Sequence, residues 1–202
     1  VVAVGGPCPV VSLSYCSYLG GANTEYGTRI AVDRAAHRYV VAGMTTSDDF
    51  PTPEGAYDRL HNDLWYADDI FLSTFSTADH TLIGSTYFGG RYGESLRALE
   101  LDSAGNVFIA GNTDSDDLPV TPGAIDPGLW GYYDGFVTSL TADLGSLRWS
   151  TYLGHDKFNV ATALEYDPDG YLYVGMGSWF GPLDFAHAPG TSAVIFKLDA
   201  DD

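Results

Sequence analysis

A tyrosine-centred motif that occurs three times constrains the fold of this chain more than any other feature. Its copies are YCSYLGG at residues 15–21, GSTYFGG at residues 84–90 and WSTYLGH at residues 149–155. The tyrosine at the centre of each copy, the marker tyrosine, is Tyr18, Tyr87 or Tyr152. Successive marker tyrosines are 69 and 65 residues apart. Such a period indicates similar structural units that bury their apolar faces against one another.

Each marker is followed by a predicted β-hairpin. The hairpins are IAVD at 30–33 with YVVAG at 39–43, LELD at 99–102 with VFIAG at 107–111, and LEYD at 164–167 with YLYVG at 171–175. In the second and third copies the short connections contain Gly, Asn or Pro. Gly and Asn tolerate a positive φ, and Pro presets the turn.

A long loop and a closing strand complete each unit. The loop AGMTTSDDFP at 42–51 matches AGNTDSDDLP at 110–119. The closing segments, residues 69–75, 134–140 and 192–198, alternate apolar and polar residues, as half-buried strands do. Each unit therefore predicts about four strands in a meander, which is the composition of a propeller blade.

The predicted fold is all-β, with three four-stranded antiparallel repeats of the β-propeller type. The predicted segments are a strand-like N-terminal extension at 1–13, a first repeat at 14–80, a second at 81–146 and a degenerate third at 147–202. Closed propellers usually have four to eight blades. Three blades leave open sheet edges, which invite pairing with another chain. We expect an incomplete ring, or a ring completed by oligomerisation or by a partner.

The motifs Y-x-[ST]-Y-[LF]-G-G, V-A-G-x-T-x-S-x-D-[FL]-P and G-A-[YI]-D resemble those of the bacterial β-propeller repeat family abbreviated SBBP. The resemblance extends from about Tyr15 onward and is specific in the first two units. The third unit departs from it, because MGSWFG at residues 176–181 replaces the T-x-S-x-D stretch. The resemblance implies an exported bacterial protein whose repeats form propeller domains without a shared set of catalytic residues.

Charge and cysteine content restrict the location and the partners. The 27 acidic and 9 basic residues give a formal net charge of −18, which disfavours nucleic acid or an anionic membrane surface as a partner. No apolar stretch is long enough for a membrane span. Cys8 and Cys16 are predicted to form a disulfide, in agreement with an extracytoplasmic location (secreted, periplasmic or cell surface). The start VVAV indicates a processed or truncated N-terminus.

The sequence predicts neither an enzyme nor a required cofactor. The five histidines are scattered, and no G-x-S-x-G nucleophile motif is present. Asp48 and Asp49 recur as Asp116 and Asp117 in the matching loops. Such carboxylates supply the hard oxygen ligands that Ca²⁺ prefers, so these four residues are the candidate metal ligands. Recurrence is equally typical of residues that stabilise a turn.

The aromatic residues fall into two groups. The marker tyrosines are expected to pack between neighbouring sheets, because aromatic residues fixed within a repeat normally serve the core. The other group lies in the long variable loops, where an aromatic ring stacks on a sugar, anchors a partner or plugs the loop itself. Its members, the candidate ligand- or partner-binding residues, are Trp65, Tyr66, Trp130, Tyr132 and Tyr133.

Together these features predict a non-catalytic extracytoplasmic module that acts as a structural scaffold or as a protein-interaction subunit of a larger assembly. Its expected partners are proteins or further copies of itself, joined through open sheet edges. The strand-like runs at residues 1–4 and 9–13 would complete a neighbouring sheet in cis or in trans. The alternative is a surface module that binds glycan or calcium through its Asp-rich and Trp/Tyr-rich loops.

Overall fold

The computed structural model describes residues 12–62, 67–154, 158–179 and 192–200. Within these residues the chain forms eleven β-strands in three antiparallel sheets, and no helix is present. The predicted all-β class is therefore confirmed. The first sheet has the order β1-β2-β3-β4, the second β5-β6-β7-β8 and the third β11-β10-β9.

The strands follow the alternating apolar segments of the sequence. In the first sheet they are β1 Glu25–Asp33, β2 Arg38–Thr45, β3 Asp69–Ser76 and β4 Leu82–Phe88. In the second they are β5 Glu94–Leu101, β6 Val107–Thr113, β7 Asp134–Leu140 and β8 Leu147–Leu153. In the third they are β9 Phe158–Tyr166, β10 Tyr171–Trp179 and β11 Ser192–Asp199.

Each of the five short hairpin turns contains one residue in the left-handed region of φ. These residues are His37, His80, Gly105, Leu144 and Gly170, with φ between 54° and 93°. A left-handed residue lets a short loop follow the right-handed twist of the strands it joins. Leu144 is fully buried, so its turn is also fixed by packing.

The sheets are offset from the sequence repeats by one strand. The marker at residues 84–90 contributes β4, which pairs with β3 of the preceding repeat and so completes the first sheet. The marker at 149–155 contributes β8, which pairs with β7 in the same way. The closing strand of each repeat is therefore the third strand of its sheet, and the next marker supplies the fourth. The third sheet has three strands in the described residues.

The three sheets stack in chain order. Strand β5 lies against β1, β2 and β3, and strand β9 lies against β5, β6 and β7. One apolar cluster fills the first junction and includes Leu72 of the first sheet and Ile109 of the second. Another fills the second junction and includes Phe108 of the second sheet and Val174 of the third. The second sheet is thus covered on both faces.

Arg38 adds a polar connection across the first junction. Its guanidinium donates to the carboxylate of Asp33 at 3.0 Å, within its own hairpin. It also donates to the carbonyl oxygens of Ala142 at 2.7 Å and Gly105 at 3.1 Å, both in turns of the second sheet. The side chain therefore holds three loops together at one end of the junction.

Candidate functional site

The marker tyrosines of β4 and β8 bind the loop that follows the second strand of their sheet. The Tyr87 hydroxyl accepts from the Phe50 amide at 2.9 Å and donates to the Ser47 carbonyl at 2.6 Å. The Tyr152 hydroxyl makes the same pair of bonds, to the Leu118 amide at 2.9 Å and the Ser115 carbonyl at 2.7 Å. Both rings are buried. Tyr152 lies in the cluster between the first and second sheets, as predicted, whereas Tyr87 packs with Phe50 and Phe71 of the first unit and not between sheets.

Tyr18 is in the opposite situation, and its expected place in the core is wrong. Residues 12–24 form no strand, and residues 12–18 are exposed, with the Tyr18 side chain fully accessible. The physical reason is that Tyr87 and Tyr152 lie on β4 and β8, and each of these strands is the fourth strand of the sheet that precedes it in the chain. Among the described residues no sheet precedes β1, so Tyr18 has no such place to fill.

A glutamate seven residues after the marker tyrosine joins the marker loop to the T-x-S stretch. In the second copy, Glu94 accepts from the Gly90 amide at 3.1 Å and from the Thr113 hydroxyl at 2.5 Å. In the first copy, Glu25 accepts from the Gly21 amide at 3.1 Å and the Thr45 hydroxyl at 3.0 Å. The sequence prediction missed these glutamates, although their constant spacing from Tyr18 and Tyr87 was a usable signal.

The packing around Gly90, the second glycine of the marker, explains why this position is a glycine. A Cβ on Gly90 would lie 2.5 Å from the Ser115 Cβ and 2.7 Å from a carboxylate oxygen of Asp117. Only glycine allows the marker loop to approach the T-x-S-D-D loop this closely. The marker loop and the T-x-S-D-D loop therefore pack directly against each other.

Glu94 is the most perturbed carboxyl group in this network. The side chain is buried at the first junction, and burial raises its pKa to about 7. Hydrogen bonds from Thr113, Ser115 and Gly90 favour the charged form and oppose that effect, while nearby Asp114 adds to it. The cause is loss of hydration, which a few neutral donors offset only in part.

The second junction uses an amide at the equivalent position. Asn159 takes the place of Glu94, and its side-chain nitrogen donates to the Asp134 carboxylate at 3.0 Å. Both residues are fully buried. Asp134 also accepts from the Trp130 amide at 2.7 Å, and burial raises its pKa. The position seven residues after the marker tyrosine is therefore a buried glutamate in the second copy and a buried asparagine in the third.

The four candidate metal ligands have protein partners. Asp49 accepts from the Ala22 amide at 2.7 Å, and Asp117 accepts from the Arg91 amide at 2.9 Å, so both hold a marker loop. The Asp48 carboxylate lies 3.0 Å from Nδ1 of His61. Asp116 forms an ion pair with the Arg91 guanidinium.

These partners favour the turn-stabilising interpretation of the four aspartates. A guanidinium on Asp116 competes with a cation for the same oxygens. Within the described residues, no group of three or more His, Cys, Asp or Glu side chains is arranged to hold a metal ion. The calcium site stays a hypothesis from the sequence.

The variable-loop aromatics of the second unit line the outside of the second junction. The ring of Tyr132 stacks on Phe158 at 5.5 Å between centroids, and Tyr133 lies 5.6 Å from the same ring. Trp130 exposes most of its indole, while its Nε1 donates to Asp126 at 2.8 Å. The two tyrosines thus join the sheets, and Trp130 presents its ring to solvent. Trp65 and Tyr66 lie outside the described residues.

The structure gives no support to the predicted disulfide. Cys16 is a free, exposed cysteine. Cys8 lies outside the described residues, as do the strand-like residues 1–4 and 9–11.

The outer faces of the first and third sheets expose apolar residues whose counterparts are buried. Ile30 of β1 is 65% exposed, whereas Leu99, at the same position of β5, is 8% exposed. Ile195 of β11 is 78% exposed, whereas Val137, at the same position of β7, is fully buried. Each end of the stack therefore resembles half of an internal junction.

The third sheet differs from the other two in the number of strands that the described residues supply. Within the described residues, β11 pairs only with β10, whereas β3 and β7 each have a second neighbour. A cavity of about 310 Å³ lies beside β11, lined by Ile125, Trp149 and Lys197 among others. We regard the two end faces as the candidate functional surfaces.

Comparison with known proteins names no family for this chain. No family of known proteins matches the sequence, and no curated protein resembles it closely enough to count as a relative. In the part of the chain that the structure describes, no helix has the length and apolar character needed to cross a membrane. The fold defines the class of protein: an all-β repeat protein of stacked antiparallel sheets.

Proposed function

We propose that this chain is a non-catalytic β-propeller-type repeat module that acts as a structural scaffold or protein-interaction subunit of a larger assembly. One observation carries the proposal: Ile30 and Ile195 are exposed at the two ends of the stack, whereas Leu99 and Val137 bury the same positions inside it. Because the equivalent apolar surface is buried at each internal junction, we expect the exposed apolar surface at the two ends to be buried against a partner.

The use of the repeated polar residues supports a structural role. Glu94, Tyr87 and Tyr152 bind loops of their own sheet, and Asp49 and Asp117 hold the marker loops. These residues stabilise the unit that repeats. The resemblance to exported SBBP repeat proteins agrees with this role, and it carries the proposal of an extracytoplasmic location.

The proposal is tested by placing a charge on each end face and measuring assembly. We expect the wild-type chain to sediment as a dimer or larger species, and Ile30→Glu and Ile195→Glu to shift it toward the monomer. Leu60→Glu is the control, because Leu60 is 68% exposed but lies in the loop between β2 and β3 and not on an end strand. A wild-type chain that sediments only as a monomer at all concentrations contradicts the proposal.

Ionic strength supplies a second readout of the same assembly. Two copies with a formal charge of −18 repel each other, and salt screens that repulsion. Apolar association should therefore strengthen as salt rises from about 0.01 to 0.15 M, where the screening length falls from roughly 30 to 8 Å. Association held by charge pairs would weaken instead.

Glycan binding at Trp130 is the second candidate function. The specific observation is that most of the indole faces solvent while two hydrogen bonds, from its Nε1 and from its amide, fix the residue. A fixed, exposed ring is suited to stacking on a sugar. Trp130→Ala should abolish retention on a glycan array, with Tyr92→Ala as the control. Equal retention of both variants, or none by the wild type, removes this candidate.

A further inference from the structure

We infer that copies of this chain associate head to tail, with the outer face of the third sheet of one copy packed on the outer face of the first sheet of the next. The inference rests on the proposed function and names the partner and the geometry of the assembly. The first end face consists of Ile30, Val32, Tyr39 and Val41. The third end face consists of Ala163, Tyr173, Gly175 and Ile195.

The first end face repeats the surface with which the second sheet contacts the first. Strand register establishes the equivalence, because Ile30 lies opposite Val41 as Leu99 lies opposite Ile109. The equivalent residues of the second sheet lie in or against the apolar cluster of the first junction, and these are Leu99, Leu101, Val107 and Ile109. The first end face is therefore built like a surface that another sheet covers.

The third end face repeats the opposite surface of the second sheet, the one that contacts the third. Here Ile195 lies opposite Gly175 as Val137 lies opposite Ala110. The equivalent residues of the second sheet all belong to the apolar cluster of the second junction, and these are Ala98, Phe108, Ala110 and Val137. The two end faces thus correspond to the two different sides of an internal sheet.

Both internal junctions join these two kinds of surface through the same pair of positions. At the first junction, Leu72 of β3 and Leu99 of β5 belong to one cluster and are 0% and 8% exposed. At the second junction, Val137 of β7 and Leu164 of β9 belong to one cluster and have the same exposures. A third-strand residue of one sheet and a first-strand residue of the next are therefore buried together each time.

The corresponding pair at the ends of the stack is Ile195 and Ile30. These side chains are 78% and 65% exposed. Packing the third end face of one copy on the first end face of another brings the pair together in a junction of the same kind. Two first end faces placed together would instead join surfaces of one kind, which neither internal junction does. A second copy in head-to-tail orientation is therefore the partner that these surfaces fit.

Contacts within the chain leave both isoleucines accessible. On the first sheet, Leu19 of the marker segment packs against the cluster that contains Phe71, while Ile30 stays exposed. On the third end face, Lys197 places its ammonium 3.6 Å from the centroid of the Tyr171 ring. That cation is held over an aromatic ring, where it is attracted by the ring electrons.

A head-to-tail contact uses two different surfaces, so the rotation between copies decides between a closed ring and an open chain of copies. Each copy contributes three sheets. Two copies joined at both ends would bring six sheets together, within the four to eight of closed propellers. We therefore expect a dimer with two equivalent junctions between the copies.

The test mixes two full-length variants, each with one end face blocked by a charge. Ile30→Glu blocks the first end face, and Ile195→Glu blocks the third. Neither variant alone can form a head-to-tail junction, so each should sediment as a monomer. An equimolar mixture retains one intact pair of faces and should form a heterodimer of twice the chain mass. A fluorescent label on one variant identifies that species in sedimentation velocity.

The matched control replaces one partner by the double variant with Ile30→Glu and Ile195→Glu. Its mixture with either single variant contains no intact pair of faces and should stay monomeric. Circular dichroism checks that each chain is folded, which we expect because both isoleucines are exposed. Should one of these variants unfold, Val32→Glu and Ala163→Glu block the same two faces at other exposed positions.

The outcomes separate this inference from the proposed function. If the wild type assembles while the mixture of single variants stays monomeric, head-to-tail packing is overturned and the proposed function stands. A single variant that dimerises by itself has the same consequence, because its assembly then uses like faces or other surfaces. A wild-type chain that is monomeric at all concentrations overturns both.

Discussion

The marker segments around Tyr87 and Tyr18 are copies of one motif but have opposite environments. The first is a buried strand whose tyrosine holds a loop through two hydrogen bonds, and the second is exposed and forms no strand. The difference is the presence of a preceding sheet. A motif that repeats in sequence is thus completed in structure by a neighbour.

The largest expected effect comes from removing the two tyrosines. Tyr87→Ala leaves a cavity in the cluster of Phe50 and Phe71, so we expect a loss of about 4 kcal/mol in the free energy of unfolding. Tyr18→Ala should leave the stability of the monomer unchanged and weaken assembly. Urea denaturation and sedimentation measure the two effects. Equal losses of stability would remove the contrast between the copies.

Much of the fold followed from the sequence because period and alternation report on backbone pairing. The three copies of the motif and the alternating strands predicted antiparallel sheets correctly. The offset between repeats and sheets was not accessible, because a period does not show where a hydrogen-bonded unit begins. The exposure of Tyr18 was missed for a related reason: burial depends on a neighbouring sheet, and Tyr18 lies in the same motif as its buried counterparts.

The next effect concerns the glutamates that follow the two markers. The pKa of Glu94 is raised to about 7 from an ordinary value of 4.5 by burial. Between these two pH values the folded chain keeps a proton that the unfolded chain has released. The contribution of Glu94 to the free energy of unfolding is therefore greatest below this window and falls as pH rises through it, by on the order of 3 kcal/mol.

Glu94→Gln removes this titration and measures it by difference. In thermal or urea denaturation, the free energy of unfolding of Glu94→Gln should rise relative to that of the wild type from pH 4.5 to 7, because only the wild type loses stability in this range. Glu25→Gln is the matched control at the same place in the first copy, where the side chain is partly exposed. A gap that stays constant with pH would show that Glu94 is ionised throughout.

A smaller effect is expected from the tyrosine hydroxyl alone. Tyr152→Phe keeps the ring but leaves the Leu118 amide and the Ser115 carbonyl without their partner. Leaving buried polar groups unsatisfied costs about 2 kcal/mol. Tyr18→Phe should cost nothing in the monomer. Hydrogen exchange of the Leu118 amide provides a local check, since it should become faster only in Tyr152→Phe; unchanged exchange would mean that water replaces the hydroxyl.

The smallest effect tests whether the aspartate loops are turns or calcium sites. Arg91 and Asp116 form an ion pair in which both side chains are about half exposed, so Arg91→Ala should change the free energy of unfolding very little. Removing the guanidinium also frees the Asp116 oxygens for a cation. If the loops serve only as turns, millimolar Ca²⁺ should leave the melting temperature of both wild type and variant unchanged. A calcium-dependent rise that is larger in Arg91→Ala than in the wild type would instead show that Arg91 occupies a cation site.

The loop of the first copy is the comparison for this calcium test, because Ala22 stands at the position of Arg91 and Asp48 faces His61. Asp48→Asn should abolish a rise that originates there.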